Sequence, residues 1–235
     1  MLPIARKQSI VKPAINMPSC KNCKKEFVID GQDNAFYKHM DVPAPRYCPE
    51  CRFQKRLMFR NERVLYKRNC DLCGKDMVTI HAPEKKLVVY CPKCWWSDDW
   101  DDGAFYLDYD PSKNIFEQMK ELQKITPHMG LVTDYATLVN TDYANHLGSC
   151  KNCYLIFNAD FDENVAYGSI IVRNKDSMDI MFGGDSELLY EIFDFVNSYQ
   201  SAFSKTIASC TNVYFSRYLI GCNNCFGCVN LKNKS

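Results

Sequence analysis

Histidine is scarce in this chain, four in 235 residues, and His39, His81, His128 and His146 are scattered along it. There is no Gly-rich phosphate loop, no nucleophile elbow and no His-Glu-x-x-His, so the common nucleotide-binding and hydrolase constellations are missing. A treble-clef nuclease would need a histidine constellation beside its metal, and none can be assembled. No window approaches the roughly 18 uninterrupted apolar residues of a membrane span. The opening "MLPIARKQSIVKPAINMPSC" lacks an apolar core, being broken by Pro3, Lys7, Lys12 and Pro13. No secretory signal and no membrane partner are therefore expected, and the chain reads as cytoplasmic.

Net charge is also nearly absent, +1 overall, but the balance is local. Residues 1–96 hold 19 Lys/Arg against 9 Asp/Glu, and residues 97–235 hold 10 against 19. A basic half suits a polyanionic partner that an acidic half would repel, which predicts two different jobs.

What the chain has in abundance is cysteine, fourteen residues. Reduced cytosolic thiols that come in pairs point to metal rather than disulfides. From Cys20 to Cys94 they come only as Cys-x-x-Cys: Cys20/Cys23, Cys48/Cys51, Cys70/Cys73 and Cys91/Cys94. The two-residue gap lets one tight turn aim both sulfurs inward, and two such hooks supply the four thiolates of a tetrahedral ion. Cys20, Cys23, Cys48 and Cys51 are assigned to one structural Zn²⁺ and Cys70, Cys73, Cys91 and Cys94 to a second, two per chain. Iron in a rubredoxin-like site is the other metal for such a set. With four sulfurs bound, neither ion keeps a position for water, so catalysis by it is not expected. His39 and His81 are surplus to these sets.

Around the hooks, "GKDMVTIHAPEKKLVVY" predicts two strands, Met77 to His81 and Leu87 to Tyr90, joined at Pro83 as a zinc-ribbon hairpin. An Asp-Gly turn is expected at Asp30–Gly31. "PECRFQKRLMFRNERVLYKR" has no Gly or internal Pro after Pro49 and predicts a helix to about Lys67. Phe53, Leu57 and Met58 would form its buried side. Arg46, Arg52, Lys55, Arg56, Arg60, Arg63, Lys67 and Arg68 would then offer guanidinium and ammonium groups to phosphates. Pairing of these cations with Asp98, Asp99, Asp101, Asp102, Asp108 and Asp110 is the alternative. Phe36, Tyr37, Phe59, Tyr66, Trp95 and Trp96 could stack on bases, while the tryptophans read better as core filling.

After "WWSDDWDDGAFYLDYD" a helix is expected, with Asp110 as N-cap, Pro111 in the first turn and Ile115, Phe116, Met119 and Leu122 on one face, packed on the zinc region. The acidic connector offers Mg²⁺ or Ca²⁺ oxygen ligands, the basis of a metal-dependent hydrolase reading. From about Cys150, apolar clusters alternate with polar turns at intervals near 11 or 12. That texture predicts a right-handed parallel β-solenoid, in which each coil buries its face only against its neighbours. "SELLYEIFDFVNSYQSAF" also carries helical spacing, which is the competing local reading. Cys150, Cys153, Cys210, Cys222, Cys225 and Cys228 are taken as small residues lining that core, a third metal joining Cys150/Cys153 to the last three being the alternative.

"FYKHMDVPAPRYCPECRFQKRLMFRNERVLYKRNCDLCGKDMVTI", followed by "VYCPKCWWSDDW", resembles the zinc-ribbon or treble-clef region of a large group of Cys-rich proteins from uncultivated small-genome bacteria. The resemblance covers Cys20 to Leu122 in detail and the repeats more loosely. In that group the repeats are richer in cysteine and a further zinc ribbon follows, so the chain reads as a fragment or a shortened member. No activity comes with the resemblance.

The expected organisation is a basic arm (1–18), a first four-Cys module with a basic helix (19–69), a second four-Cys ribbon (70–97), an acidic aromatic connector with one helix (98–145) and a repeat domain (146–235). The expected function is a non-enzymatic zinc protein whose modules dock on nucleic acid, RNA or the ribosome ahead of DNA, with protein contact through the repeats. A zinc-stabilised protein-interaction scaffold is the alternative.

Overall fold

A computed structural model of the chain describes residues 16–58 and 61–235. They fall into two compact units divided between residues 60 and 61. The arm expected over 1–18 lies almost wholly outside the described residues, as do Phe59 and Arg60.

The first unit is small. Two antiparallel bridges, Asn16↔Ile29 and Ser19↔Glu26, flank the first cysteine hook. Helix α1 (Gly31–His39) follows where a turn was expected. Asp30 accepts the Asp33 N–H while the Asp33 side chain accepts the Asp30 N–H, a capping box that turns the Asp-Gly step into a helix start. Helix α2 (Pro49–Leu57) begins at the second hook. Among the described residues its buried core is Cys20, Phe27, Ile29, Cys48 and Cys51.

Helix α2 is shorter than the pattern predicts, and the intended buried side is in the open: Phe53, Leu57 and Met58 are all exposed. Asn61 ends any continuation. Its Oδ1 accepts the Val64 N–H at 2.9 Å and its amide donates to the Val64 and Ile80 carbonyls, a local turn that competes with helix. Tyr66–Asn69 then forms strand β1, antiparallel to β2 (Asp76–Thr79). The expected ribbon pairing is therefore replaced. Strand β3 (Val89–Tyr90) pairs parallel with β4 (His128–Met129) instead of with β2. Between them come the short helix α3 (Pro92–Trp95) and helix α4 (Ile115–Ile125). Asp110 does not cap α4: its carboxylate holds Ser112, and Asn114 accepts the Phe116 N–H at 2.9 Å as the true cap.

The rest is a parallel β-solenoid of about seven coils over residues 144–232. The strands are β5 (Ala144–Gly148), β6 (Ile156–Asp160), β7 (Glu163–Ala166), β8 (Ser169–Val196), β9 (Tyr199–Ala208), β10 (Thr211–Tyr214), β11 (Arg217–Ile220), β12 (Asn223–Phe226) and β13 (Val229–Lys232). Each pairs in parallel with a register of twelve, as in Ala144↔Ile156, Phe157↔Ser169 and Leu219↔Leu231. The "SELLYEIFDFVNSYQSAF" segment is strand, not helix: Glu187, Leu189, Tyr190, Ile192, Phe193, Phe195 and Val196 each pair with a residue one coil along. Bridges Thr133↔Leu147 and Val139↔Lys151 carry the stack below residue 146, so the connector is shorter than expected.

Within the twelve-residue coil lies a finer period of three. Every third residue from His146 to Asn233 has a positive φ, giving four corners per coil. The residue two before each corner points inward, as with Cys150, Cys153, Ile156 and Ala159. Backbone hydrogen bonds run on through the corners, for example Asn164 N–H to the Lys151 carbonyl at 2.9 Å. An unbroken ladder has no place for a residue without an N–H. All ten prolines lie at or before Pro127.

The interior is filled in columns, one residue per coil. Cys150, Asp162, Asn174, Ser186, Ser198, Cys210 and Cys222 share one. Buried serines satisfy themselves in a repeating way: Ser198 donates to the Val196 carbonyl at 3.0 Å and accepts the Cys210 N–H at 3.4 Å. Ser201, Ser204 and Ser216 do the same. Such pairing removes the cost of burying a hydroxyl. Phe195 is an aromatic ring in the buried core of the solenoid, and Gly183 makes room for it; a Cβ there would lie 2.8 Å from the ring.

Candidate metal centres

The two four-cysteine sets close as their spacing predicts. In each, the four sulfurs lie within 4.8 Å of one another. They are also built alike, residue for residue. The first hook is a knuckle: Lys24 N–H reaches the Cys20 carbonyl at 3.0 Å, and Gly74 N–H reaches that of Cys70 at 2.9 Å. The residues that turn these knuckles, Lys24 and Gly74, both have positive φ. The second hook starts a helix. Cys48 and Cys91 are N-caps, each followed by a proline at the first helical position, where no N–H is needed. Cys51 and Cys94 then point back from the first turn. The same bond joins the hooks in both sets: Cys48 N–H donates to the Cys20 sulfur at 3.3 Å, and Cys91 N–H to that of Cys70 at 3.2 Å.

The electrostatics fit a dication. Burial raises the Cys20 thiol, but the N–H groups of Cys48, Cys23 and Asn22 outweigh it and bring it to about 6. Cys70 is likewise brought to about 7 against burial by the N–H groups of Cys73, Cys91 and Leu72. Their neighbours move the other way. The Cys51 N–H favours the Cys48 thiolate, yet burial and the adjacent side chains push Cys48 up to about 12. Burial and the three neighbouring thiols raise Cys94. Four thiols this close cannot all ionise against each other, and a bound cation removes that conflict. The residues present could hold one metal ion in each set.

The other proposed ligands do not assemble. Cys150 and Cys153 lie six coils from Cys222, Cys225 and Cys228, a separation of about 29 Å at the usual strand spacing. Among the described residues there is no third cluster, and none among the connector carboxylates. Each solenoid cysteine instead donates to the carbonyl two residues back, as Cys222 does to Ile220, the same bond the serines make. His81 and His128 face each other with ring centroids 5.3 Å apart, and neither belongs to a four-cysteine set.

The seven described cations do not form one helix face. Arg46, Arg52, Lys55 and Arg56 stay in the first unit, with Arg46, Lys55 and Arg56 exposed and Arg52 half-buried. Lys55 Nζ lies 3.5 Å from the centre of the Tyr47 ring. Arg63, Lys67 and Arg68 belong to the second unit. Arg63 donates to Ser169 at 2.8 Å, and Arg68 is paired with Asp71 at 2.8 Å. Lys67 and Arg68 line a cleft of about 740 Å³ together with Lys93, Tyr135 and Tyr143, a feature the sequence pattern does not reveal because its walls come from separate segments. Asp76 and Asp142 line it too. Of the tryptophans, Trp95 and Trp100 pack together at 5.1 Å beside Tyr90, whereas Trp96 is exposed.

Among the described residues no helix is long and apolar enough to cross a membrane. No family model, no curated protein and no solved structure matches the chain, which leaves its own side-chain chemistry as the guide to function.

Proposed function

We propose that the chain is a zinc protein with two four-thiolate structural sites that docks on nucleic acid, single-stranded RNA ahead of duplex DNA. One observation carries this reading. Arg46, Lys55 and Arg56 are exposed beside the first metal set and, among the described residues, make no ion pair. A metal-fixed backbone presents these charges with little ordering cost, and phosphates would release counterions on meeting them. Exposed Phe36 and Phe53 in the same unit suit stacking on unpaired bases. Zinc suits an all-sulfur tetrahedral set with no open position.

The test is a salt titration of binding to short single-stranded RNA and to duplex DNA, with the wild-type chain and an Arg46→Gln/Lys55→Gln/Arg56→Gln variant whose metal content is measured. Loss of three phosphate contacts should flatten the log–log salt slope by about 2. No binding at low salt, or an unchanged slope in a variant that keeps its metal, rejects the reading. A second reading, a protein-interaction scaffold, is favoured by the exposed aromatic row Tyr190, Phe203, Phe215 and Phe226 along the solenoid, with ring centroids 4.8 to 5.5 Å apart. It predicts no RNA affinity in the same titration.

A further inference from the structure

Helix α4 is amphipathic, yet no residue of it is buried. Its apolar side, Ile115, Phe116, Met119 and Leu122, was expected to pack on the zinc region, and Ile125 follows at its end. Instead Phe116 is 76% exposed, Met119 51%, Ile115 46% and Ile125 42%. The bonds that hold the helix are polar and local. Gln118 accepts the Asp110 N–H at 2.8 Å and donates to the Asp110 carbonyl at 2.9 Å, and at the far end His128 Nε2 lies 2.7 Å from the Gln123 carbonyl. An eleven-residue helix is marginal on its own, and such helices are normally stabilised by burying the apolar face. In the segment leading into it Tyr106 and Tyr109 are about as exposed as Phe116.

Charge selects what can cover this face. Residues 98–125 carry eight carboxylates against three lysines. Asp98, Asp99, Asp101, Asp102 and Asp108 are all exposed. An anionic bilayer or a nucleic acid would be repelled. A second copy would set one acidic rim against another. A partner that places apolar side chains on the helix and ammonium or guanidinium groups over Tyr106, Tyr109 and the aspartates is complementary on both counts.

We infer that α4 and the Tyr106–Asp110 segment form a docking surface for a lysine- or arginine-rich amphipathic segment of a protein partner. Phe116 and Met119 are the anchors, and the aspartates steer the approach. The surface belongs to the second unit, whereas the exposed cations Arg46, Lys55 and Arg56 belong to the first.

The experiment measures fluorescence anisotropy of a labelled synthetic Lys/Leu peptide with helical spacing, against the full metal-loaded chain. A Glu/Leu peptide, a short RNA and phosphatidylserine vesicles serve as comparison probes, each read with a Phe116→Ala/Met119→Ala chain. Because both side chains are exposed, this variant should keep its fold, which circular dichroism checks. The expected result is binding of the Lys/Leu peptide alone through this face, weakened at least tenfold in the double variant and made less salt-sensitive by Asp98→Asn/Asp99→Asn/Asp101→Asn/Asp102→Asn. Absence of Lys/Leu binding overturns the proposal. So does binding that survives Phe116→Ala/Met119→Ala, vesicle or RNA binding that the double variant abolishes, or a dimer in sedimentation that the same variant dissociates.

Discussion

Inside the solenoid, Oδ1 of Asp162 accepts both the backbone N–H and the side-chain amide of Asn174 from the next coil, each at 2.8 Å. The second oxygen of Asp162 and the amide oxygen of Asn174 have no hydrogen-bond partner and are buried. Burial raises the Asp162 carboxyl to about 6 in spite of the Asn174 bonds.

That shift has a definite sign. Below about pH 4 the acid is neutral in both folded and unfolded chains and costs nothing. As pH rises towards 6 the unfolded chain ionises first, so stability falls, by about 3 kcal/mol in all, and is level above that. Asp162→Asn should remove this loss, and the variant should exceed the wild type at neutral pH but not at pH 4. Denaturant midpoints at both pH values check it; equal differences at the two would refute it.

The first unit should depend on metal more than the second. Three of its five core residues are cysteines, leaving Phe27 and Ile29 as the apolar remainder. Removing the metal with a chelator under reducing conditions should abolish amide protection over residues 16–58 while the coils over 144–232 keep theirs. Hydrogen exchange reads both in one sample, and simultaneous loss of the two would be contrary to this.

Solenoid cysteines should behave as serines do. Cys222→Ser keeps the bond to the carbonyl two residues back, and its cost should stay under about 1 kcal/mol with metal content unchanged. Ser198→Ala, by contrast, orphans the Cys210 N–H and should cost about 1 to 3 kcal/mol. Cys48→Ser should lose one metal ion. Metal analysis and thermal melts separate the three.

Corners set by strained residues offer a gain. Ile170 is β-branched, 41% exposed, and has φ 57°. Ile170→Asn should stabilise the chain by about 1 kcal/mol, since asparagine tolerates the left-handed region. An unchanged or lower melting temperature would count against the strain.

Much of this was legible before any coordinates. The metal sets could be read because their geometry is local: "CKNC" and "CDLC" make knuckles, "CPEC" and "CPKC" make helix starts, and the four-thiol rule joins them. The solenoid showed as a repeat near 11 or 12, but its finer period of three was hidden, since Asn, Asp or Gly fills fewer than half of the corners: in "NADFDENVAYG" Asn158 and Asn164 alternate with Phe161 and Tyr167, and Ile170 and Arg173 follow. The extent of α2 was misread because helix propensity favours continuing past Leu57, and the Asn61 turn and the Tyr66–Asn69 pairing override it. The open face of α4 was invisible since a hydrophobic pattern states what could be buried, not whether anything is there to bury it.

The triplet corners also constrain how this sequence can change over time. A deletion of one residue would swap the inward, outward and corner roles of everything up to the next compensating change, placing charges inside and isoleucines outside. A deletion or duplication of twelve removes or adds a whole layer and leaves every surviving column in phase. Length in this part of the molecule is therefore quantised, and natural variants should differ by multiples of one coil.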